Sequence, residues 1–169
     1  MKQGRKRVVV GVDGSDGSRA ALAHALEDAS RRGAAVEVVS AFEAPTYYWL
    51  SPYQVPLIPL EQVEAEVRRA VESVVQEVTG ELADEISPMP RVTVHVAPGS
   101  AKTALLEAAE DADLLVVGSR GHGAVGSLLL GSVSLACALH APCPVTIVHA
   151  TRPKKAEEPA MQHAAPATS

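Results

Sequence analysis

The chain has 169 residues, of which 47% are hydrophobic and 3% aromatic, and a formal net charge of −5. This charge argues against a broad surface for nucleic acid or an anionic membrane, and the apolar runs are far shorter than the roughly 20 residues of a membrane-spanning helix. Cys137 and Cys143 are the only cysteines, so no disulfide framework is expected. The composition predicts a cytoplasmic protein without nucleic-acid or membrane partners.

The predicted elements alternate between strands and helices along the chain. Apolar runs, and alternating valines in the third case, predict strands at 8–12, 36–42, 92–96, 114–117 and 145–148. Apolar residues at three- and four-residue spacing predict helices at 15–32, 60–86, 99–110 and 132–140. This order predicts an α/β fold with an open, mainly parallel five-stranded sheet, helices on both faces and the third strand at an edge.

Two segments do not fit the alternation of strands and helices. Four prolines lie within 44–59 and predict an inserted loop, which carries Tyr47, Tyr48, Trp49 and Tyr53. These aromatics are a candidate flap or docking patch for a protein partner, and the alternative is a loop that covers the core. Residues 151–169 lack periodicity and are predicted to be a disordered tail.

The glycine-rich segments after the first and fourth predicted strands are the candidate ligand site. In an open parallel sheet, ligands bind outside the carboxyl ends of the strands, where the winding direction switches. Glycines let the backbone approach an anion, and the N-terminus of a helix favours phosphate. Ser132 and Ser134 would add hydroxyl donors, and Asp13 is an acceptor for ribose hydroxyls. The alternative is that Ser132 is a helix N-cap in a long surface loop.

Other short motifs in the sequence give weaker evidence for a function. Gly121, Gly123 and Gly126 satisfy G-x-G-x-x-G, but not in the first strand–helix turn where the dinucleotide fingerprint belongs. P-loop and G-x-S-x-G motifs are absent from the sequence. The six histidines show no ligand spacing, so no metal site is predicted, although His122 lies within the glycine-rich segment. Cys137 and Cys143 are interpreted as a helix-packing thiol and a turn residue.

A longer pattern spans the second glycine-rich segment. Gly118-x2-Gly121-x9-Gly131-Ser132 fits the G-2x-G-9x-G-(S/T) pattern of ATP-binding universal stress proteins. Segments 8–15, 113–121 and 131–148 also resemble the opening, the fourth strand with its turn, and the close of that family. The resemblance implies a Rossmann-like domain over 1–150, of the adenine nucleotide alpha hydrolase-like type, with strand order 3-2-1-4-5.

The resemblance also implies the residues that would contact ATP. Adenine and ribose would be held by Asp13, Val12 and the backbone at Ala41. The ribose and phosphate side would be lined by Val117, Gly118, Arg120 and Gly121, and the phosphates by Gly131, Ser132, Val133 and Ser134. Gly11 belongs to the same set and stands where some relatives carry proline. Magnesium would arrive with the nucleotide.

We therefore expect a cytoplasmic ATP-binding stress-response protein that acts as a nucleotide-dependent sensor or regulator. The resemblance further implies a homodimer through the last strand, formed by Val145, Thr146, Ile147 and Val148. Catalysis is not required by this interpretation. The alternatives are a slow ATP hydrolase or nucleotidyl transferase, and a cyclic-nucleotide-binding protein of the same fold.

Overall fold

The computed structural model describes residues 6–43, 59–121 and 130–150. The strands are β1 (Arg7–Gly11), β2 (Ala35–Phe42), β3 (Val92–Pro98), β4 (Leu114–Gly118) and β5 (Val145–Val148). The helices are α1 (Asp16–Arg32), α2 (Leu60–Glu81), α3 (Ala101–Ala108) and α4 (Ser132–His140), and a 3₁₀ turn, Ala109–Asp111, follows α3. Within these ranges no helix is both long and apolar enough to cross a membrane.

Three predictions fall on residues outside this description. They are the aromatic patch of Tyr47, Tyr48, Trp49 and Tyr53, the histidine at position 122, and the disordered tail at 151–169.

The five strands form one parallel sheet in the order β3-β2-β1-β4-β5, as predicted. Val8 of β1 is aligned with Val36 of β2 on one side and with Leu114 of β4 on the other. The chain therefore winds outward from β1 to β3 and then returns to the opposite side of β1. This reversal places the switch point between β1 and β4, and it leaves β3 at an edge as expected.

Small aliphatic side chains fill both faces of the sheet. Val8 and Val10 pack toward α1 and α2, whereas Val9 packs toward α3 and α4. On α1, every fourth residue on the buried face is an alanine without solvent exposure, which lets the helix lie close to the strands. These positions are Ala21, Ala25 and Ala29. Close packing of small side chains explains how a chain with few aromatics builds two continuous cores.

The ends of α1 agree with the predicted bounds, but the end of α2 does not. The Ser15 hydroxyl accepts the N–H of Ser18 at 3.3 Å at the start of α1, and Gly33 ends it with φ 63°. Helix α2 ends at Glu81 rather than near residue 86. The carbonyl of Leu82 accepts the N–H groups of Glu85 and Ile86, which turns the chain. Ile86 still reaches the core from this turn, so the apolar spacing continues past the helix.

The first turn of α1 touches the end of β4 without intervening side chains. A Cβ on Gly118 would lie 2.6 Å from the backbone carbon and oxygen of Gly17. A Cβ on Gly17 would collide with the carbonyl oxygen of Arg120. Glycine at both positions therefore allows the backbone contact that holds α1 against the segment after β4.

This contact predicts the effect of Gly17→Ala. The added methyl group has no room against the Arg120 backbone, so the free energy of unfolding should fall by about 2 kcal/mol. Urea unfolding measures the change. The matched control is Gly80→Ala in α2, where no atom lies within 4 Å of the new Cβ. Gly80→Ala should be neutral or stabilising by up to about 1 kcal/mol, since alanine favours a helix. Equal stabilisation by both variants would contradict the proposed contact.

Candidate functional site

A cleft of about 350 Å³ lies at the carboxyl ends of β1, β2 and β4. All twelve predicted site residues line it: Gly11, Val12, Asp13, Ala41, Val117, Gly118, Arg120, Gly121, Gly131, Ser132, Val133 and Ser134. The cleft thus coincides with the switch point of the sheet, where ligands of open α/β folds bind. The fold brings the two glycine-rich segments together there, although they are about a hundred residues apart in the sequence.

Five further residues of the cleft were not predicted: Ser18, Val39, Ser40, Ala101 and Leu105. Val39 and Leu105 are buried and belong to the core between the sheet and the helices α3 and α4. In the sequence they resemble ordinary core positions. That they also line the cleft is visible only once the strand ends are aligned in the structure. Ala101 is the first residue of α3, and it shows that this helix also begins at the cleft.

The carboxylate of Asp13 is oriented by the start of α1. Its Oδ1 accepts the backbone N–H of Ser15 at 3.0 Å and the Ser15 hydroxyl at 2.5 Å. Gly121 lies against Oδ2, where an added Cβ would collide with that oxygen. Gly121, one glycine of the predicted ATP-binding motif, therefore leaves room for the Asp13 carboxylate, which belongs to the other glycine-rich segment.

Helix α4 begins at the cleft with Gly131 as its N-cap residue, at φ −70° and ψ 159°. The N–H of Gly131 donates to the Ser119 carbonyl at 2.8 Å, and its own carbonyl accepts the N–H of Leu135 at 2.9 Å. No side chain within the described ranges caps the helix. The alternative that Ser132 is the N-cap is wrong, because the residue before it already has the extended backbone of a cap. The first-turn amides, at positions 132–134, therefore remain available to a ligand.

A Cβ atom would fit at Gly131, whereas at the other described glycines of the cleft it would lie too close to neighbouring atoms. The nearest atoms to a Cβ there would be the Ser119 oxygen at 3.6 Å, with Arg120 Cα and Ser134 Oγ at 3.7 Å. These are ordinary van der Waals distances, and the φ of −70° suits any residue. Neither packing nor backbone conformation requires a glycine at this position.

The hydroxyl of Ser134 is used inside the protein. It donates to the carbonyl of Gly118 at 2.6 Å and so ties α4 to the end of β4. The side chain is buried. We expected this hydroxyl to donate to a ligand, but its hydrogen is used in the bond to Gly118. The backbone N–H is therefore the donor that Ser134 can offer to a ligand in the cleft.

Among the described residues, the lining of the cleft combines apolar walls with one acidic and one basic side chain. Val12, Val39 and Val117 supply buried apolar surface, and Asp13 and the exposed Arg120 are the ionisable lining residues. Apolar walls suit a planar ring, and open helix amides beside the backbone of Arg120, a basic lining residue, suit an anion. The arrangement can hold a molecule that has an apolar ring, hydroxyl donors and a negative charge.

The two cysteines lie in the core rather than in the cleft. Cys137 is fully buried in α4, and Cys143 packs against the same cluster from the turn after that helix. Burial raises the pKa of both thiols, because the thiolate is poorly solvated there. Both are free, and their positions in α4 and in the turn after it agree with their interpretation as a packing thiol and a turn residue. Within the described ranges, no three His, Cys, Asp or Glu residues are grouped to hold a metal ion.

Comparison with known proteins identifies relatives along most of the chain. The model of the universal stress protein family matches residues 4–149. A universal stress protein of Thermus aquaticus is 37% identical over 145 residues, covering 85% of this chain and 98% of that protein. One from Mycolicibacterium smegmatis is 37% identical over 147 residues, covering 85% of this chain but 46% of that protein. The chain thus spans about half the length of that mycobacterial relative.

A solved structure, described as a universal stress protein in complex with cAMP, has the same fold. It aligns with a TM-score of 0.62 and 26% identity, covering 86% of this chain and 98% of that chain.

Proposed function

The chain belongs to the universal stress protein family, and on that premise we propose that it is a cytoplasmic ATP-binding protein that acts as a nucleotide-dependent sensor or regulator. Its family supports a role in the stress response. The cleft supports nucleotide binding. Its apolar walls suit adenine, the Asp13 carboxylate can accept ribose hydroxyls, and the amides at the start of α4 suit the phosphates.

Gly131 is the observation that carries the proposal. Other cleft glycines are explained by the protein itself, since a Cβ on Gly118 or Gly121 would collide with neighbouring atoms. At Gly131 the protein leaves room for a side chain, beside a helix N-terminus that no described side chain caps. A ligand that lies close to this backbone accounts for the glycine. Phosphate oxygens are the groups that such amides bind best.

The positions of the lining residues suggest how ATP would lie. Neighbouring strands are about 4.8 Å apart, so the cleft spans roughly 10 Å from β2 across β1 to β4. The phosphates would lie at the start of α4 near Arg120, and Asp13 would accept the ribose hydroxyls. Adenine would then reach Val12 and the backbone of Ala41 at the end of β2. Magnesium would be carried by the phosphates, because Asp13 is the one carboxylate among the lining residues that the structure describes.

We propose binding rather than turnover as the activity. Asp13 is already oriented by two hydrogen bonds from Ser15, and no second carboxylate or histidine lines the described cleft to activate water. Hydrolysis of bound ATP should therefore be slow. A slow hydrolase or a nucleotidyl transferase remains the alternative class, and turnover that saturates with a second substrate would favour it.

Gly131→Ala tests the nucleotide site. The new methyl group would occupy the space assigned to phosphate, so the affinity for ATP should fall at least about tenfold, or roughly 1.4 kcal/mol. Loss of the glycine cap should cost the fold no more than about 1 kcal/mol. Calorimetric titration measures the affinity, and Gly80→Ala is the matched control that should bind like the parent. Parental affinity in folded Gly131→Ala would contradict the assignment.

Cyclic AMP is a second candidate ligand, because the solved universal stress protein described above was crystallised with it. The two nucleotides share adenine and ribose and differ in their phosphates. Competition titration separates them: displacement of cAMP by ATP at lower concentrations would favour ATP, and the reverse would favour the cyclic nucleotide.

We propose that the protein forms a homodimer through β5. The sheet has two edge strands, and the outer edge of β3 is partly covered because Arg68 of α2 donates to the Val94 carbonyl at 3.1 Å. Within the described residues, nothing pairs with the outer edge of β5. On α4, in the layer that packs with β5, Leu135 is 47% exposed and Leu139 is 68% exposed. An unpaired edge beside exposed leucines fits a second copy of the chain.

Leu139→Lys tests the dimer without disturbing the core. A charge at this exposed position should disfavour an apolar contact between copies, so the variant should sediment as a monomer at concentrations where the parent is a dimer. Leu60→Lys is the matched control, because Leu60 is 40% exposed but lies on α2 on the opposite face of the sheet. The proposal fails if Leu139→Lys remains dimeric or if both variants dissociate equally.

A further inference from the structure

The outer edge of β3 presents the backbone groups of alternate residues. Just before the strand, the carbonyl of Arg91 accepts the N–H of Val36 at 2.9 Å. Just after it, the N–H of Gly99 donates to the Phe42 carbonyl at 2.8 Å. Odd-numbered residues of β3 therefore pair with β2, and even-numbered residues direct their backbone groups away from the sheet. The outward N–H and C=O groups belong to Val92, Val94 and Val96.

An arginine of α2 occupies the centre of this edge. One guanidinium nitrogen of Arg68 donates to the Val94 carbonyl at 3.1 Å, and the other donates to the Glu64 carboxylate at 3.0 Å. Glu64 lies one turn earlier on the same helix, so this second bond holds the guanidinium in place over β3. A strand that paired with the outer edge of β3 would have to displace Arg68 from the Val94 carbonyl.

The carboxyl end of the edge is also unsuited to pairing. Pro98, the last residue of β3, is the next outward position after Val96. Proline has no N–H group, so a new strand would find no donor there. The outer edge of β3 is therefore shortened at one end and covered at its centre.

We propose that Arg68 makes an autoinhibitory contact that closes the edge of β3 to a second copy of this chain. Without it, two copies related by a two-fold axis would be able to pair their β3 strands in antiparallel orientation. The outward residues would then face each other, with Val94 opposite Val94 and Val92 opposite Val96. Arg68 occupies the carbonyl at the centre of that arrangement. Charged side chains protect the edge strands of many sheets from such pairing.

A closed β3 edge limits the size of the assembly. A chain that paired through β5 and also through β3 would keep adding copies, because each new copy would bring one more free edge. With β3 closed, association through β5 ends at two copies. This consequence rests on the homodimer proposed above, whereas the closure of β3 by Arg68 does not.

Arg68→Met tests the contact. Methionine keeps an unbranched side chain and favours a helix about as well as arginine, but it has no donor for the Val94 carbonyl. Arg68→Met should sediment as a larger species than the parent at the same concentration. Arg69→Met is the matched control and should sediment like the parent. Arg69 is exposed, and its Nε donates to the Ala65 carbonyl of its own helix at 3.3 Å.

Hydrogen exchange shows where the copies meet. In the larger species, the outward amides of β3 should exchange more slowly than in the parent, because each gains a partner in the second copy. These are the amides of Val92, Val94 and Val96. A peptide that covers β5 should exchange equally in both proteins, since the new contact lies at the opposite edge of the sheet.

The outcomes separate this inference from the proposed homodimer. If folded Arg68→Met has the size of the parent, the inference is overturned. Larger species in which β3 gains no protection overturn it as well, because they assemble through another surface. A monomeric parent together with a dimeric Arg68→Met, protected at β3, would support the inference and contradict the homodimer through β5. If Arg68→Met does not fold, Arg68→Ala decides by the same measurements, because alanine has the highest helix propensity.

Discussion

The parallel pairing of β1 with β4 is the constraint on which the rest of the structure depends. It reverses the winding of the sheet and brings the carboxyl ends of two strands side by side, each followed by a glycine-rich segment. The backbone contact between Gly17 and Gly118 then fixes α1 against the end of β4. The Asp13 carboxylate, just before α1, and the amides at the start of α4 consequently open onto the same cleft.

The glycines of the fold have distinct physical roles. Gly33 ends α1 with a positive φ, and Gly17 and Gly118 permit contact between two backbones. Gly121 makes room for the Asp13 carboxylate. Gly131 is the exception, because its surroundings within the protein would accept a side chain. The family motif treats Gly118, Gly121 and Gly131 alike, and only the geometry shows which one points to a ligand.

Much of the fold could be predicted because local signals agree with the tertiary structure. Valine runs mark strands that are buried on both faces, and Ser15 and Gly33 mark the ends of α1. The family motif then locates the residues of the cleft. The prediction for the end of α2 was wrong because Ile86 packs into the core from a turn, which the spacing of apolar residues does not distinguish from a helix. Ser40 and Leu105 were missed because a cleft residue inside a strand or helix resembles a core residue in the sequence.

The most direct test of the account is an NMR titration of the 169-residue chain with ATP and magnesium. The account predicts saturable shifts of the backbone amide signals of Ser132, Val133 and Ser134, together with those of Val12 and Ala41, at one nucleotide per chain. Phosphate bound at the start of α4 and adenine bound at the end of β2 must perturb both sets. Shifts confined to other parts of the chain, or no shifts at saturating ATP, would contradict it.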